Sequence, residues 1–328
     1  MSPRSALPWP GPARITLVLL AVIPAAMAYP WPSTRDRWLL GVAVAVLLVL
    51  LGRWRGMYLT TTAGRRVAMA RQRPGKHAGQ RSGPDVRTTA LLRVVPPDAG
   101  PGMLPVSLIA GYLDRYGLRA HSIRITSRDT RSAAAAARDT WIGLTFSAAE
   151  NLAALQGRSS RIPLAETAEV AARRLADHLR ESGWAAAGIE SGEVPALFGA
   201  NAMQSWDGLT DRENGHIAAY RVDVDQALPD TLADVWAYGA PETWTVLEIT
   251  GAGDGRAVAV GCALRTRKPP VGAGPLPGLT AQGGNHRWAL QVLHPLSGVD
   301  MDGHTELSAD DIAELRWPAA QPAPVSRT

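Results

Sequence analysis

Trp141-Ile-Gly-Leu-Thr-Phe-Ser-Ala-Ala-Glu-Asn-Leu-Ala-Ala-Leu155 holds two structural signals in one short stretch. Trp141 to Phe146 is an apolar run of strand length, rich in aromatic and branched residues. Ser147-Ala-Ala-Glu150 reads as a capping box, in which serine and glutamate each satisfy a free backbone N–H at a helix start. It opens a helix running to about Gln156. A strand passing directly into a helix predicts a domain that mixes α and β.

Similar strand runs recur at Thr88 to Val95, Ala120 to Ser127, Ile217 to Val224, Trp244 to Thr250, Ala257 to Arg265 and Trp288 to Leu293. Gly251 to Gly255 marks a hairpin turn between two of them. Pro105 to Arg115 reads as a helix ended by Tyr116-Gly117. A longer helix starts with Pro163 in its first turn and ends near Gly183. Its Leu164, Ala168, Ala171, Leu175 and Leu179 form a core-facing stripe. The order is β-α-β-β-α-α to residue 183, then β-α-β-β-β-α. The predicted fold class is therefore α/β (mixed α+β) with a mixed sheet over residues 87–317. Two sub-halves of loosely repeated layout meet near 185–215, and 318–328 form a flexible tail.

Upstream of this body the composition changes. Hydrophobic residues are 46% of the chain and charged residues 19%, which excludes a disordered polar chain. Residues 1–86 carry 12 Lys+Arg against 2 Asp+Glu, whereas 87–328 carry 22 against 27. The overall net charge of +5 is thus a basic leader joined to a mildly acidic body. Ile15 to Tyr29 and Trp38 to Leu51 are uncharged apolar runs, each short of the roughly 20 residues that cross a bilayer. Arg14, Trp31, Arg37, Trp38, Arg53, Trp54 and Arg55 are expected to flank them at the headgroups. The expectation is a two-helix transmembrane hairpin within residues 1–58, with spans of about 14–31 and 37–54. Residues 59–86 then form a basic juxtamembrane linker able to touch anionic membrane lipid. The positive-inside rule places both termini in the cytoplasm of a two-span inner-membrane protein. Ala26-Met27-Ala28 also fits a signal-peptide cleavage site, which leaves the placement of the body unchanged.

Motifs with chemistry are scarce. No phosphate-gripping glycine loop, G-x-S-x-G elbow or H-E-x-x-H helix occurs. The single cysteine, Cys262, excludes an internal disulfide and sits in an apolar run as a buried hydrophobe. Asp300-Met-Asp302-Gly-His304 is the one cluster that could ligate a divalent metal, as D-x-D loops do in sugar-nucleotide transferases. The same residues equally suit an ordinary turn. No metal, cofactor or small-molecule substrate is expected, and an acidic body argues against nucleic acid. A membrane-anchored, metal-dependent sugar-nucleotide transferase on Asp300, Asp302 and His304 stands as the alternative.

Two apolar runs, a basic tether, the Trp141–Leu155 stretch and the segment Ile162 to Trp184 together resemble EccE, a subunit of type VII (ESX) secretion systems. The resemblance covers the leader and about residues 87–205. It implies a non-catalytic subunit of a translocon exporting small paired helical substrates, with EccB, the ATPase EccC and EccD as companions. No catalytic residues carry over from it.

Overall fold

The computed structural model describes residues 86–319 except 98–101, 133–135, 158–162, 213, 253–254, 271 and 273, and also residues 23, 40, 41, 44, 53, 54, 57 and 58. The chain divides into two compact units, 1–77 and 78–328. In the first, Ile23, Leu40, Gly41 and Val44 are helical, and Arg53–Trp54 pairs antiparallel with Met57–Tyr58 as a short ribbon.

This corrects the expected transmembrane hairpin. Among the described residues no helix is long and apolar enough to cross a membrane. The two-span inner-membrane location rested on that hairpin and falls with it. Physically, each apolar run is too short by itself, and Arg53–Trp54, expected to end the second span, turns back as a strand instead. Arg14, Trp31, Arg37, Trp38 and Arg55 lie outside the described residues, as does all but residue 86 of the 59–86 linker.

The second unit is built on one large sheet. Its strands are β1 (Arg87–Val95), β2 (Asp114–Arg115), β3 (Leu118–Arg131), β4 (Ala136–Ser147), β5 (Ala185–Gly188), β6 (Met203–Gln204), β7 (Leu209–Asp211), β8 (Gly215–Val222), β9 (Glu242–Ala252), β10 (Gly255–Thr266), β11 (Leu279–Ala281) and β12 (Thr305–Leu307). The helices are α1 (Val106–Ala110), α2 (Leu152–Gln156), α3 (Leu164–Glu181), α4 (Leu228–Ala237), α5 (His286–Leu293) and α6 (Ala309–Glu314). The main path runs β5-β1-β4-β3-β9-β10-β8-β7-β6.

The expected mixed sheet is also corrected: the fold is mostly β, and its twelve strands pair antiparallel throughout. The reason lies in the connections. Helix α1 carries the chain from β1 over to β3, which runs the same way as β1. A hairpin then returns β4 into the gap between them, so β1 and β3 never touch. The second half repeats the device: α4 links β8 to β9, and β10 inserts between them. The halves meet at the antiparallel β3–β9 pair.

Both faces are covered, which explains strands that read as nearly continuous apolar runs. On one face Leu92, Ile123, Ile142 and Leu247 share one core with α3, whose stripe Leu164, Ala168, Ala171, Leu175 and Leu179 is buried. On the other, Leu91, Trp141, Trp244 and Val246 pack with α5 and Met301. Cys262 is wholly buried in β10, and burial pushes its thiol up to about 12. The glycine hairpin joins β9 to β10 as expected. Trp288 to Leu293, expected as a strand, is instead part of α5. Its buried His286, Leu290 and Leu293 step by four and three, a period that the short apolar run alone conceals.

Candidate functional site

A loop from His294 to His304 follows α5 and lies on the sheet where the two halves join. It holds the Asp300, Asp302 and His304 singled out by sequence. Arg124 on β3 and Glu248 on β9 face each other directly in register beneath it, and both are essentially fully buried. Arg124 Nη2 donates to Glu248 Oε1 (2.5 Å) and to Val299 O (2.8 Å). Its Nη1 donates to Ser297 O (2.6 Å) and His294 O (3.3 Å). Glu248 Oε2 accepts from the Met301 N–H (2.6 Å) and lies 3.4 Å from His304 Nε2. Burial alone would raise the Glu248 carboxyl, but Arg124, His304 and the Met301 amide together hold it below the ordinary carboxylate value. One buried ion pair thus ties four backbone groups of the loop to the sheet.

Close approach of the loop depends on Gly143 of β4, where an added Cβ would stand 2.7 Å from Pro295 O. At the rim, Asp300 accepts from His121 Nε2 (2.7 Å) and Arg87 Nη1 (3.2 Å). Arg87 Nη1 also donates to Gly298 O (3.1 Å). His121 reaches Asp300 because a β-bulge between Ala120 and Ser122 leaves it without a register partner on β4 and re-aims it. Its Nδ1 meets Glu150 Oε1 (2.8 Å). The glutamate of the expected capping box is therefore engaged across the sheet end. One bond of that box is present, Glu150 N–H to Ser147 Oγ (3.2 Å), and α2 begins only at Leu152.

Carboxylates on both ring nitrogens require the doubly protonated imidazolium. The Asp300 bond, helped by Glu150 and opposed by burial, raises His121 above its ordinary 6.5. The same bond, with Arg87 and against burial, lowers Asp300 below 3.8. The His121 contribution is fully present below pH 6.5 and fades as pH rises through the raised value. The Asp300 contribution is present above pH 3.8 and fades as pH falls through the lowered one. The clamp is therefore strongest between those pH values. Asp300 is nearly half exposed, so screening limits the effect to about 1 kcal/mol. His121→Gln should flatten the alkaline limb of a stability–pH profile measured by urea unfolding; an unchanged limb would count against the clamp.

A second buried cluster lies at the other end of β9. Glu242 accepts from Arg128 Nε (2.6 Å), Trp244 Nε1 (3.1 Å) and Arg265 Nε. Arg265 also donates to Leu197 O (2.6 Å). Burial opposes but the two arginines prevail, and the Glu242 carboxyl is lowered.

Sequence reasoning found the loop but not the residues that hold it: Arg87, His121 as a partner, Arg124, Glu150 and Glu248. One signal was available, a charged residue in the middle of an apolar strand, as Glu248 is in Trp244 to Thr250. Asp302 is exposed and joins neither the buried pair nor the clamp. Among the described residues no group of three His, Cys, Asp or Glu is placed to hold a metal ion. The contacts hold the loop across the junction of the two sheet halves.

Such a molecule is of the class of large antiparallel sheets covered on both faces. A family profile described as "Putative type VII ESX secretion system translocon, EccE" matches residues 134–252, from the edge of β4 through β9. The chain is 51% identical over 313 residues to the ESX-3 secretion system protein EccE3 of Mycobacterium tuberculosis strain CDC 1551, covering 94% of this chain and 93% of that one. It is 46% identical over 291 residues to the protein of the same name from Mycolicibacterium smegmatis, covering 89% and 90%. The chain belongs to the EccE family.

Proposed function

We propose that this chain is a non-catalytic subunit of a type VII secretion translocon, supporting the assembly or stability of the complex that exports small helical substrates. Its companions would be EccB, the ATPase EccC and EccD. The observation that carries this reading is identity of about half the residues along almost the whole length of ESX-3 secretion system proteins. The loop chemistry agrees with it. Asp300, Glu248 and His304 engage other residues of the same chain, as scaffolding groups do. The sugar-nucleotide transferase reading has no observation in its favour.

Affinity purification of the tagged chain from its host tests the proposal. Recovery of EccB, EccC and EccD in one large assembly, and loss of that assembly when the chain is deleted, is the expected result. An assembly of unchanged yield and secretion in the deletion strain would overturn it.

A further inference from the structure

Away from the loop, the β2–β3 connection holds a residue its backbone disfavours. Among the described residues Tyr116 is the non-glycine with positive φ, at 58°, and Gly117 follows at 68°. Arg115 pairs with Leu118 across them, so the two form a tight primed turn that favours Asn, Asp or Gly. A bulky aromatic there is a conformational outlier. It persists because its surroundings are fixed. Asn151 grips Arg119 from both sides, accepting from its N–H and donating to its carbonyl, each at 2.8 Å. The Tyr112 hydroxyl donates to Arg174 O (3.0 Å), binding the turn region to α3.

The strained position puts an aromatic ring between two cations. The Arg174 guanidinium lies 4.7 Å from the Tyr116 ring centre. That of Arg115 lies 5.3 Å from Tyr116 and 4.8 Å from Tyr112. The two rings meet edge to face at 6.3 Å. Several arginines of the body pair with acids, among them Arg93 with Asp139, Arg124 with Glu248, Arg138 with Asp129 and Arg265 with Glu242. Among the described residues Arg115 and Arg174 have no carboxylate partner. Their guanidinium groups lie over tyrosine rings, and a guanidinium's N–H groups suit a planar carboxylate acceptor. They border a cavity of about 240 Å³ floored by Leu118, Phe146 and Ala171. Tyr116 is about half exposed.

We propose that this cleft docks a short segment of a partner protein in which a carboxylate side chain adjoins an apolar one. The carboxylate pairs with Arg115 and Arg174, and the apolar side chain sits on the Leu118–Phe146–Ala171 floor. The cavity is smaller than the roughly 300–1,000 Å³ of small-molecule sites, and a phosphate has no use for its apolar floor. Glu166 on the cleft wall repels a run of acids and so favours a single one. The inference goes beyond the subunit reading and stands without it, since it requires a partner segment of this chemistry only.

Fluorescence anisotropy of a labelled Gly-Ser-Glu-Phe-Ser-Gly peptide against the full chain tests it, with Gln-Phe and Glu-Ser counterparts as controls. The Glu-Phe peptide should bind at least about tenfold tighter than either control, as a charged hydrogen-bonded pair predicts. Arg115→Gln with Arg174→Gln should abolish that preference. Tyr116→Asn suits the turn better, so it should weaken binding without lowering the melting temperature, which separates docking from folding. Equal affinity for the three peptides, indifference to the arginine changes, or displacement by inorganic phosphate as effectively as by unlabelled peptide would overturn the proposal.

Discussion

Glu248→Ala should lower the unfolding free energy of the body by about 3–5 kcal/mol, because it leaves Arg124 charged, buried and unpaired. The cost is concentrated at this pair. Glu248 is 0% exposed and Arg124 2%, so neither can turn to water. The Met301 N–H loses its acceptor in the same change. The urea midpoint, followed by tryptophan fluorescence, should fall with the slope unchanged. Arg124→Met with Glu248→Leu should recover only part of the loss: it removes the unpaired buried charge but leaves the Ser297 and Val299 carbonyls and the Met301 N–H without these partners. A single variant costing under about 1 kcal/mol would mean that the pair contributes no more than a surface contact.

Trp244→Ala should cost a similar amount, about 3–5 kcal/mol, through the cavity left by a large buried aromatic. Trp244 is 0% exposed. It stacks on Trp141 at 5.7 Å with the rings 15° from parallel, so the junction strand β9 is held to β4 across β3. Its indole N–H donates to Glu242, and the Arg128 guanidinium lies 5.6 Å from its ring. Removing the ring therefore also loosens the second buried charge cluster. Trp244→Phe should cost distinctly less. Near-ultraviolet circular dichroism checks the geometry independently, because the signal of the stacked pair should vanish in the alanine variant.

Much of the second unit is legible in its sequence. The α3 stripe, the glycine hairpin and buried Cys262 follow from periodicity and turn chemistry, which are local. What escapes is decided by distant residues. Parallel or antiparallel pairing depends on whether β4 and β10 return into the gaps beside their crossovers, and no local pattern encodes that insertion. Trp288 to Leu293 fits strand and helix equally over six apolar-rich residues; contact of Leu290 and Leu293 with the sheet selects the helix. The aspartates of the 300–304 loop attract notice as metal ligands because their neighbours in sequence are all that a linear reading sees. The partners of Asp300, Arg87 and His121, and that of His304, Glu248, are from about 50 to over 200 residues away. In the leader, two apolar runs flanked by tryptophan and arginine suggested membrane spans, whereas Arg53–Trp54 pairs as a strand.

The claim that the loop serves structure and assembly, with no chemistry of its own, has a direct test. Secretion of type VII substrates is measured in cells whose sole copy of the chain carries Asp300→Asn and Asp302→Asn. These changes keep the shape of both side chains while removing the charges needed for metal or acid–base work. Secretion and assembly near wild-type level are the expected result, since loss of the Asp300 charge weakens only the half-exposed clamp, by about 1 kcal/mol. Lost secretion with the assembly intact would contradict a purely structural loop and restore a catalytic one.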